Sequence, residues 1–417
     1  RYTYDELGNQ LTQTDALGRT TTYWSDALGR RTKRILPKDT AEATALAEQL
    51  DYDAWGQLWH RRDFDGRTTT FAYDVLGGAE TKTADAAHPW LLYSHAIARV
   101  EYDYDANGAR TAARTYNANN LELYSEATPR TERGWIDEKQ TALGTLDYDY
   151  APSGQLKDVV SSTSGGVNVG FRYDDLNRLA YVDDASGLPP PATARTTSYT
   201  YNANGSLATV LAPNGVQHAY AYDTLNRLRT LGVTRDATTL RAYIHAHRAS
   251  GHRRQLLESS GRTADYAYDD LYRLTRETIT GDPSGQNGVV GYDLDDVGNR
   301  LGRTSSLPAL AAQFGRTYNA RDWLGGDTYD KNGNTTTGLL SAGVTNTDVY
   351  DFENRLILRS KADGSTINLA YDADGNRLQK TILNAAAQVL ATARYLVDTN
   401  NHTGYAQVLE ETKTDAT

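Results

Sequence analysis

The chain has 417 residues, of which 39% are hydrophobic, and its formal net charge is -10. This acidic balance argues against a nucleic-acid-binding surface, because neutralising phosphates needs clustered Lys and Arg. The absence of Cys excludes disulfides and thiolate metal ligands. No apolar run approaches the ~20 residues of a transmembrane helix, so we expect no membrane span. The opening residues 1–9 already lie inside a repeat, and we therefore expect a longer parent chain.

Tyr-Asp pairs recur along almost the whole sequence and define its repeat. The interval from Tyr52 to Tyr73 is 21 residues, as is the interval from Tyr350 to Tyr371. Self-similarity at a fixed period predicts a repeat architecture, so residues 1–417 are expected to form a single repeat domain. The predicted framework positions are the Tyr-Asp pairs together with the Gly or Arg that follows some of them, namely Tyr4, Asp5, Tyr52, Asp53, Tyr73, Asp74, Gly77, Tyr173, Asp174, Arg178, Tyr222, Asp223, Arg227, Tyr268, Asp269, Arg273, Tyr350, Asp351, Arg355, Tyr371, Asp372, Gly375 and Arg377.

The segments between turns have the pattern of β-strands. A second turn, as at Gly66, lies between Tyr-Asp turns, so the chain is expected to reverse every ten or eleven residues. Phe71 and Tyr73 stand two apart on one face, as do Tyr220 and Tyr222. This alternation predicts antiparallel strands of about six or seven residues. About thirty such strands must coil, because strongly twisted sheets of more than about ten strands curl or close.

Several segments interrupt the repeat. Residues 36–50 resemble a short helix that begins at Asp39 or Thr40. The other interruptions are expected to be longer loops or short helices, and they cover residues 84–99, 125–145, 185–197, 281–290 and 305–313.

The motif itself predicts a hairpin turn. Asp74 is placed to accept backbone N–H groups at the start of a type I turn, and Gly77 supplies the positive φ of a bulged hairpin. Asn tolerates the same left-handed conformation at this place, as in Asn177 and Asn226. The following Arg can span neighbouring strands. Strands rich in Tyr, Thr, Arg and Asn, rather than Val, Ile and Leu, favour a hollow shell with a polar lining over a packed sandwich.

No group of residues predicts an active site or a cofactor. His245, His247 and His252 form a small histidine cluster, and a zinc site would need them to converge with a further ligand. His247 and His252, however, fall on positions of the repeat motif. Residues 103–114 begin like a calcium loop, yet Arg114 stands where a bidentate Glu is required. Adjacent carboxylates along the chain point apart on a strand, and no nucleophile elbow or phosphate-binding loop occurs. We therefore expect a protein that is not an enzyme and holds no metal.

These motifs resemble the YD repeats of the Rhs family, which are shared with the B and C components of Tc toxins and with teneurins. The resemblance covers nearly the whole chain, and residues 395–417 resemble the stretch that closes the Rhs core. It implies an all-β fold in which YD-repeat antiparallel strands spiral into a large hollow shell, a cocoon or barrel with short helices or loops in its insertions. The family's Asp-Pro-x-Gly-Leu autoprotease is not carried over, because residues 282–285 lack the Leu.

The resemblance implies a structural shell that sequesters a C-terminal toxin domain until delivery. The protein would then be secreted or extracellular, delivered from a bacterial cell in interbacterial competition, with a secretion-system adaptor or a spike protein as a further partner. The alternative is a surface-adhesion or glycan-binding repeat protein. It would need exposed aromatic side chains clustered on an outer face, for which Trp55, Trp59, Trp90 and Trp135 are the candidates.

Overall fold

The computed structural model describes residues 1–39, 43–85, 88–188, 194–341 and 344–415. These residues form 34 β-strands and one 3-10 helix, which confirms the predicted all-β class. The chain divides into two compact units. Unit 1 consists of Arg1–Val167 together with Tyr318–Thr417, and unit 2 consists of Asn168–Thr317.

Unit 1 begins with fourteen strands and the 3-10 helix. The helix, Pro89–Leu92, lies between the eighth and ninth strands. The strands are β1 (Tyr2–Tyr4), β2 (Gln10–Thr14), β3 (Thr20–Ser25), β4 (Arg31–Ile35), β5 (Ala47–Tyr52), β6 (Leu58–Arg62), β7 (Thr68–Tyr73), β8 (Ala79–Ala84), β9 (Arg99–Tyr104), β10 (Arg110–Tyr116), β11 (Glu122–Ala127), β12 (Glu138–Thr141), β13 (Gly144–Tyr150) and β14 (Leu156–Ser161).

Unit 2 contains the next twelve strands, and unit 1 resumes after it with eight more. The strands of unit 2 are β15 (Asn168–Tyr173), β16 (Leu179–Asp184), β17 (Arg195–Tyr201), β18 (Leu207–Leu211), β19 (Val216–Tyr222), β20 (Leu228–Arg235), β21 (Thr238–His247), β22 (Arg253–Glu258), β23 (Thr263–Tyr268), β24 (Leu274–Thr280), β25 (Gly288–Leu294) and β26 (Arg300–Ser305). The returning strands of unit 1 are β27 (Thr328–Tyr329), β28 (Thr335–Ser341), β29 (Val344–Tyr350), β30 (Leu356–Ser360), β31 (Thr366–Tyr371), β32 (Arg377–Leu383), β33 (Val389–Asp398) and β34 (Gln407–Asp415).

Consecutive strands pair antiparallel within each of these three stretches, as a meander does. The register shifts at the motif tyrosine, the last strand residue before the turn. Tyr73 pairs with Ala79 and Tyr222 pairs with Leu228, whereas the residue before each tyrosine pairs two positions further along. One residue of the second strand is therefore left over, which is the predicted bulged hairpin.

The two units differ in how much apolar surface they bury. In unit 2 the only buried apolar side chains among the described residues are Ala180, Ala264, Ile279 and Val290. Unit 1 has a larger core, whose main cluster joins Trp90, Ile97 and Val100 to Phe352 and Ile357. Fully burying one such large side chain contributes about 1.5–3 kcal/mol. The stability of unit 1 thus depends on packing between its first strands and its returning strands.

The predicted helix over residues 36–50 is wrong within the described part of the chain. Ala47–Tyr52 is a β-strand that pairs with β4 and β6, and residues 43–46 have no helical structure. Thr40 and the two residues after it lie outside the described residues. The alanine-rich sequence favours a helix locally, but pairing on both edges of the strand overrides this weak preference.

Candidate functional site

The repeat turn is a small network of charged and backbone groups, and the turn at Asp223 shows it completely. Oδ1 of Asp223 accepts the backbone N–H groups of Leu225 (2.9 Å) and Arg227 (3.0 Å). Oδ2 accepts Nε of Arg227 at 2.7 Å. The same guanidinium donates to the carbonyl oxygen of Arg248 at 2.9 Å, where the next turn begins. One Asp-Arg pair therefore closes its own hairpin and ties it to the next one.

The residue four positions after the turn Asp completes the network at most copies. Arg fills this place at Arg178, Arg273 and Arg355, and Asn fills it at Asn376, where Nδ2 donates to Asp372 at 2.8 Å. Arg377 is one residue later and instead lies 5.3 Å from the centre of the Tyr395 ring. Among the described residues, such pairs are Asp5–Asn9, Asp15–Arg19, Asp26–Arg30, Asp174–Arg178, Asp223–Arg227, Asp269–Arg273, Asp295–Asn299, Asp330–Asn334, Asp351–Arg355 and Asp372–Asn376.

Two turns of this kind were missed because no tyrosine precedes the aspartate. Asp15 and Asp26 follow Thr and Ser, yet each pairs with an Arg four residues later, at 2.6 and 2.7 Å. The pattern Asp-Ala-Leu-Gly-Arg, which both share, was the available signal.

The motif tyrosines hold the strand before the turn to its neighbour. The hydroxyl of Tyr371 donates to the carbonyl oxygen of Leu356 at 2.7 Å, fifteen residues earlier. Tyr73 makes the same bond to Leu58 at 2.9 Å. The ring of Tyr371 also lies 5.4 Å from the guanidinium of Arg355, a cation–π arrangement. Tyr and Arg are thus parts of one repeated contact.

The turn glycines occupy the left-handed region of backbone conformation, and this predicts a selective response to substitution. Gly205 has a φ of 86°, and a Cβ placed on it would meet no atom within 4 Å. Gly205→Ala should lower the free energy of unfolding by about 1 kcal/mol, because an L-residue is strained there. Gly205→Asn should lower it less, since Asn226 adopts a φ of 59° in the next Tyr-Asp turn. Urea unfolding of both variants measures the difference, and equal losses would contradict the explanation.

The turn aspartates of unit 2 predict a pH dependence. The backbone N–H and side chain of Arg227 hold the pKa of Asp223 below its usual value, and Arg273 does the same for Asp269. A lowered pKa in the folded state means that the stabilisation is present at neutral pH and is lost as the pH falls through the folded pKa. The urea midpoint of unit 2 should therefore fall as the pH drops below about 4. Asp223→Asn should make that dependence shallower, and an unchanged slope would contradict this assignment.

The second feature is a seam inside unit 1, where the returning strands meet the first ones. Residues further along the first stretch of unit 1 contact residues further along its returning stretch. The two partners of a contact are between 243 and 303 residues apart in the sequence. The polar contacts of the seam include Arg19–Asp322 (2.8 Å), Asp63–Asn332 (2.8 Å), Lys82–Glu353 (3.1 Å), Arg110–Asp374 (2.7 Å), Tyr148–Asp398 (2.8 Å) and Val167–Glu410 (2.9 Å).

The turn at Asp351 shows how a repeat turn fits into the seam. Its second residue is Phe352, which is 6% exposed and packs in the main core cluster. Its third residue is Glu353, which pairs with Lys82. The side chain of Asp351 is fully buried, and this burial raises its pKa despite the bonds from Arg355. At several turns away from the seam the third residue is instead an exposed leucine, such as Leu225 at 66%.

A buried charge network lies at the next Tyr-Asp turn, which begins at Asp372. Lys139 and Glu126 are each 4% exposed, and Nζ of Lys139 lies 3.1 Å from Oε2 of Glu126. Glu126 also accepts a hydrogen bond from the Tyr124 hydroxyl at 3.3 Å, and its Oε1 lies 3.4 Å from Nη2 of Arg110. Arg110 in turn holds the pKa of Asp374 below its usual value. Four charged groups are therefore linked across the seam, and none of them could be inferred from the repeat pattern.

The histidines that the sequence singled out do not form a metal site. The rings of His245 and His247 lie 6.4 Å apart on one strand, whereas His252 stacks on Tyr272 at 4.7 Å. Within the described ranges, no group of three His, Cys, Asp or Glu side chains is placed to hold a metal ion. No helix in the described part of the chain is long and apolar enough to cross a membrane.

The four tryptophans proposed for an adhesive face do not share one exposed surface. Trp55 and Trp59 are 87% and 51% exposed, and both line one groove. Trp90 is 2% exposed and belongs to the core of unit 1, so the prediction that it lies on an outer face is wrong. Trp135 packs beside Tyr150, with ring centres 5.1 Å apart.

Comparison with known proteins bears on both the motif and the fold. A family model described as RHS Repeat matches residues 4–41. Toxin protein Tse5 of Pseudomonas aeruginosa is 27% identical over 221 residues, which cover 46% of this chain and 16% of Tse5.

Solved structures share the fold at low sequence identity. The crystal structure of TcdB2-TccC3 matches 100% of this chain and 27% of the solved chain, with a TM-score of 0.55 and 15% identity. The Photorhabdus luminescens Tc holotoxin pore matches 95% of this chain and 27% of the solved chain, with a TM-score of 0.52 and 12% identity. The chain therefore spans about a quarter of the length of these solved chains. The repeated Tyr-Asp turn, the RHS Repeat match over residues 4–41 and the shared β-fold support an Rhs/YD-repeat protein.

Proposed function

We propose that this chain forms part of the wall of an Rhs-type toxin shell, which sequesters a C-terminal toxic domain until delivery from a bacterial cell. In this proposal residues 1–417 act as one body, and the repeat residues serve as framework. The similarity of the chain to toxin protein Tse5 and to the Tc toxin structures supports this role. A secretion-system adaptor or a spike protein would be the further partner.

The observation that carries the proposal is the seam of unit 1. The chain leaves this unit after Val167 and re-enters it at Tyr318, where it packs against its own earlier strands. A shell wall that is built from one continuous meander needs such a contact, because each row of hairpins must pack against the neighbouring row. The seam supplies both an apolar core and an ascending series of polar contacts.

The bonding of the turn aspartates and the composition of the strands both support a container rather than an enzyme. Both oxygens of Asp223, and of the other turn aspartates with an Arg or Asn partner, are used in structural bonds. A surface of Tyr, Thr and Arg side chains can also contact a polypeptide without the large apolar core that a solid sandwich requires.

Electron microscopy of the protein with its native C-terminal region tests the proposal. We expect an enclosed cavity that contains density beyond the YD-repeat wall, and protection of the C-terminal region from added trypsin. A solid rod, or a C-terminal region that trypsin digests as fast as the isolated region, would contradict the container. Arg355→Met, which should weaken the seam, is the matched variant and should reduce the protection.

The adhesive alternative is not favoured by the placement of the tryptophans, since Trp90 is buried and Trp135 packs against its neighbours. Its test is a glycan array. Binding that survives Trp55→Ala and Trp59→Ala would require a surface other than the one these residues form.

A further inference from the structure

Three consecutive Tyr-Asp turns lack the residue that completes the network elsewhere. Asp53, Asp74 and Asp105 use Oδ1 to accept two backbone N–H groups, as the other copies do. Four residues later, however, stand Gln57, Gly78 and Ala109 rather than Arg. Among the described contacts, Oδ2 of these three aspartates accepts no hydrogen bond, so each leaves a carboxylate oxygen available.

The first two of these turns line a groove with a volume of about 1020 Å³. The groove also contains Trp55 and Trp59 together with Phe71 and Tyr73. Trp55 is 87% exposed and Trp59 is 51% exposed, although each presents a large apolar ring. Exposed aromatic rings beside unpaired carboxylate oxygens are the combination that binds ammonium and guanidinium groups.

The protein itself shows which group fits this position. In the equivalent repeat, the guanidinium of Arg355 lies between Asp351 and the ring of Tyr371, whose hydroxyl bonds Leu356. Arg178 lies in the same way between Asp174, at 2.8 Å, and the ring of Tyr201, at 4.4 Å.

In the groove, Gln57 occupies the sequence position of the motif arginine. The hydroxyl of Tyr73 donates a hydrogen bond to the carbonyl oxygen of Leu58, just as the hydroxyl of Tyr371 donates to that of Leu356. Both walls of the guanidinium site are therefore present, namely the carboxylate of Asp53 and the ring of Tyr73. The positive charge that occupies the site elsewhere is absent from the chain at this copy.

We propose that this groove binds an arginine side chain from an extended segment of a polypeptide partner. The guanidinium pairs with Oδ2 of Asp53 over the ring of Tyr73, and apolar side chains beside the arginine cover Trp55 and Trp59. The groove is larger than one guanidinium requires, which is why the ligand is a segment rather than a free cation. The net charge of -10 favours the approach of a basic segment. This inference goes beyond the container role and does not depend on it.

The test uses a fluorescein-labelled peptide, Leu-Arg-Leu-Arg-Leu, titrated with the protein while anisotropy is recorded. Its control is the same peptide with citrulline at both arginines, which keeps the shape and removes the charge. We expect the arginine peptide to bind at least tenfold more tightly than the citrulline peptide and to weaken as salt is raised. Equal binding of the two peptides would overturn the proposal.

Three variants locate the site. Gln57→Arg restores the missing motif residue and should reduce arginine-peptide binding at least tenfold, because the chain then fills its own site. Asp53→Asn should cause a similar loss without breaking the turn, since Asn319 supports the same two backbone bonds at 2.9 and 3.1 Å. Asp223→Asn is the matched control at a copy already occupied by Arg227, and peptide binding should not change.

The outcomes separate the ligands. Peptide binding that persists unchanged in Gln57→Arg would overturn the site, even if the variant is folded. Binding of a glycan, lost in Trp55→Ala, without any binding of the arginine peptide would assign the groove to a sugar instead. Circular dichroism and urea unfolding confirm that each variant is folded before either conclusion is drawn.

Discussion

Arg355→Met should destabilise unit 1 by about 3 kcal/mol, although the same exchange at other copies of the motif should have little effect. The side chain of Asp351 is fully buried, and Arg355 provides its balancing charge through Nε at 2.7 Å. Removing one partner of a buried pair leaves an uncompensated charge in a poorly solvated site, and that desolvation penalty is the main loss. Urea unfolding followed by circular dichroism measures the change.

The control is Arg227→Met, in which the paired Asp223 is partly open to water. Solvent then screens the remaining carboxylate, so we expect a far smaller change. A further readout separates charge from packing. Because burial already raises the pKa of Asp351, lowering the pH should protonate it in Arg355→Met and recover part of the loss. Equal destabilisation at both copies, or no recovery at lower pH, would contradict the buried-charge explanation.

The fold was predictable because short, local sequence motifs specify its turns and strands. Most of the turns are specified within five residues by an Asp that accepts two N–H groups and a Gly or Asn with positive φ, as at Asp74 and Gly77. The alternation between turns then defines strands, and short connections force neighbours to pair. The same local reasoning failed for residues 47–50, where pairing on both sides outweighs helix preference.

The seam could not be predicted in the same way. Its partners are more than two hundred residues apart, and a repeat pattern does not say which copies will meet. The apolar insertion around Trp90 and Ile97 was recognised only as an interruption, although it supplies part of the core. The groove beside Trp55 was missed for a related reason. The informative signal was the absence of a motif residue at Gln57, which becomes meaningful only when the contacts of Arg355 and Arg178 are known.

Lys139→Met is expected to have the second large effect, a loss of roughly 3 kcal/mol in unit 1. Lys139 is 4% exposed, and its ammonium lies 3.1 Å from Glu126, which is equally buried. Without the lysine, the partners that Glu126 retains among the described residues are the Tyr124 hydroxyl at 3.3 Å and the guanidinium of Arg110 at 3.4 Å. Hydrogen exchange should then increase in β11 and β12 before it increases in unit 2. The exposed lysine of an ordinary ion pair, Lys157, is the matched control, and Lys157→Met should leave stability and exchange unchanged.

A double variant shows whether charge imbalance or lost packing causes the effect. Lys139→Met with Glu126→Gln removes both charges while nearly preserving the volume of the site. Replacing a buried ion pair by neutral side chains is often close to neutral in free energy, whereas removing one partner is not. The double variant should therefore be more stable than Lys139→Met alone, and the excess measures the coupling between the two side chains. If the losses of unfolding free energy from Lys139→Met and Glu126→Gln instead simply add, the two charges are not coupled. The returning strands are then held to the first strands by apolar packing rather than by charge pairing.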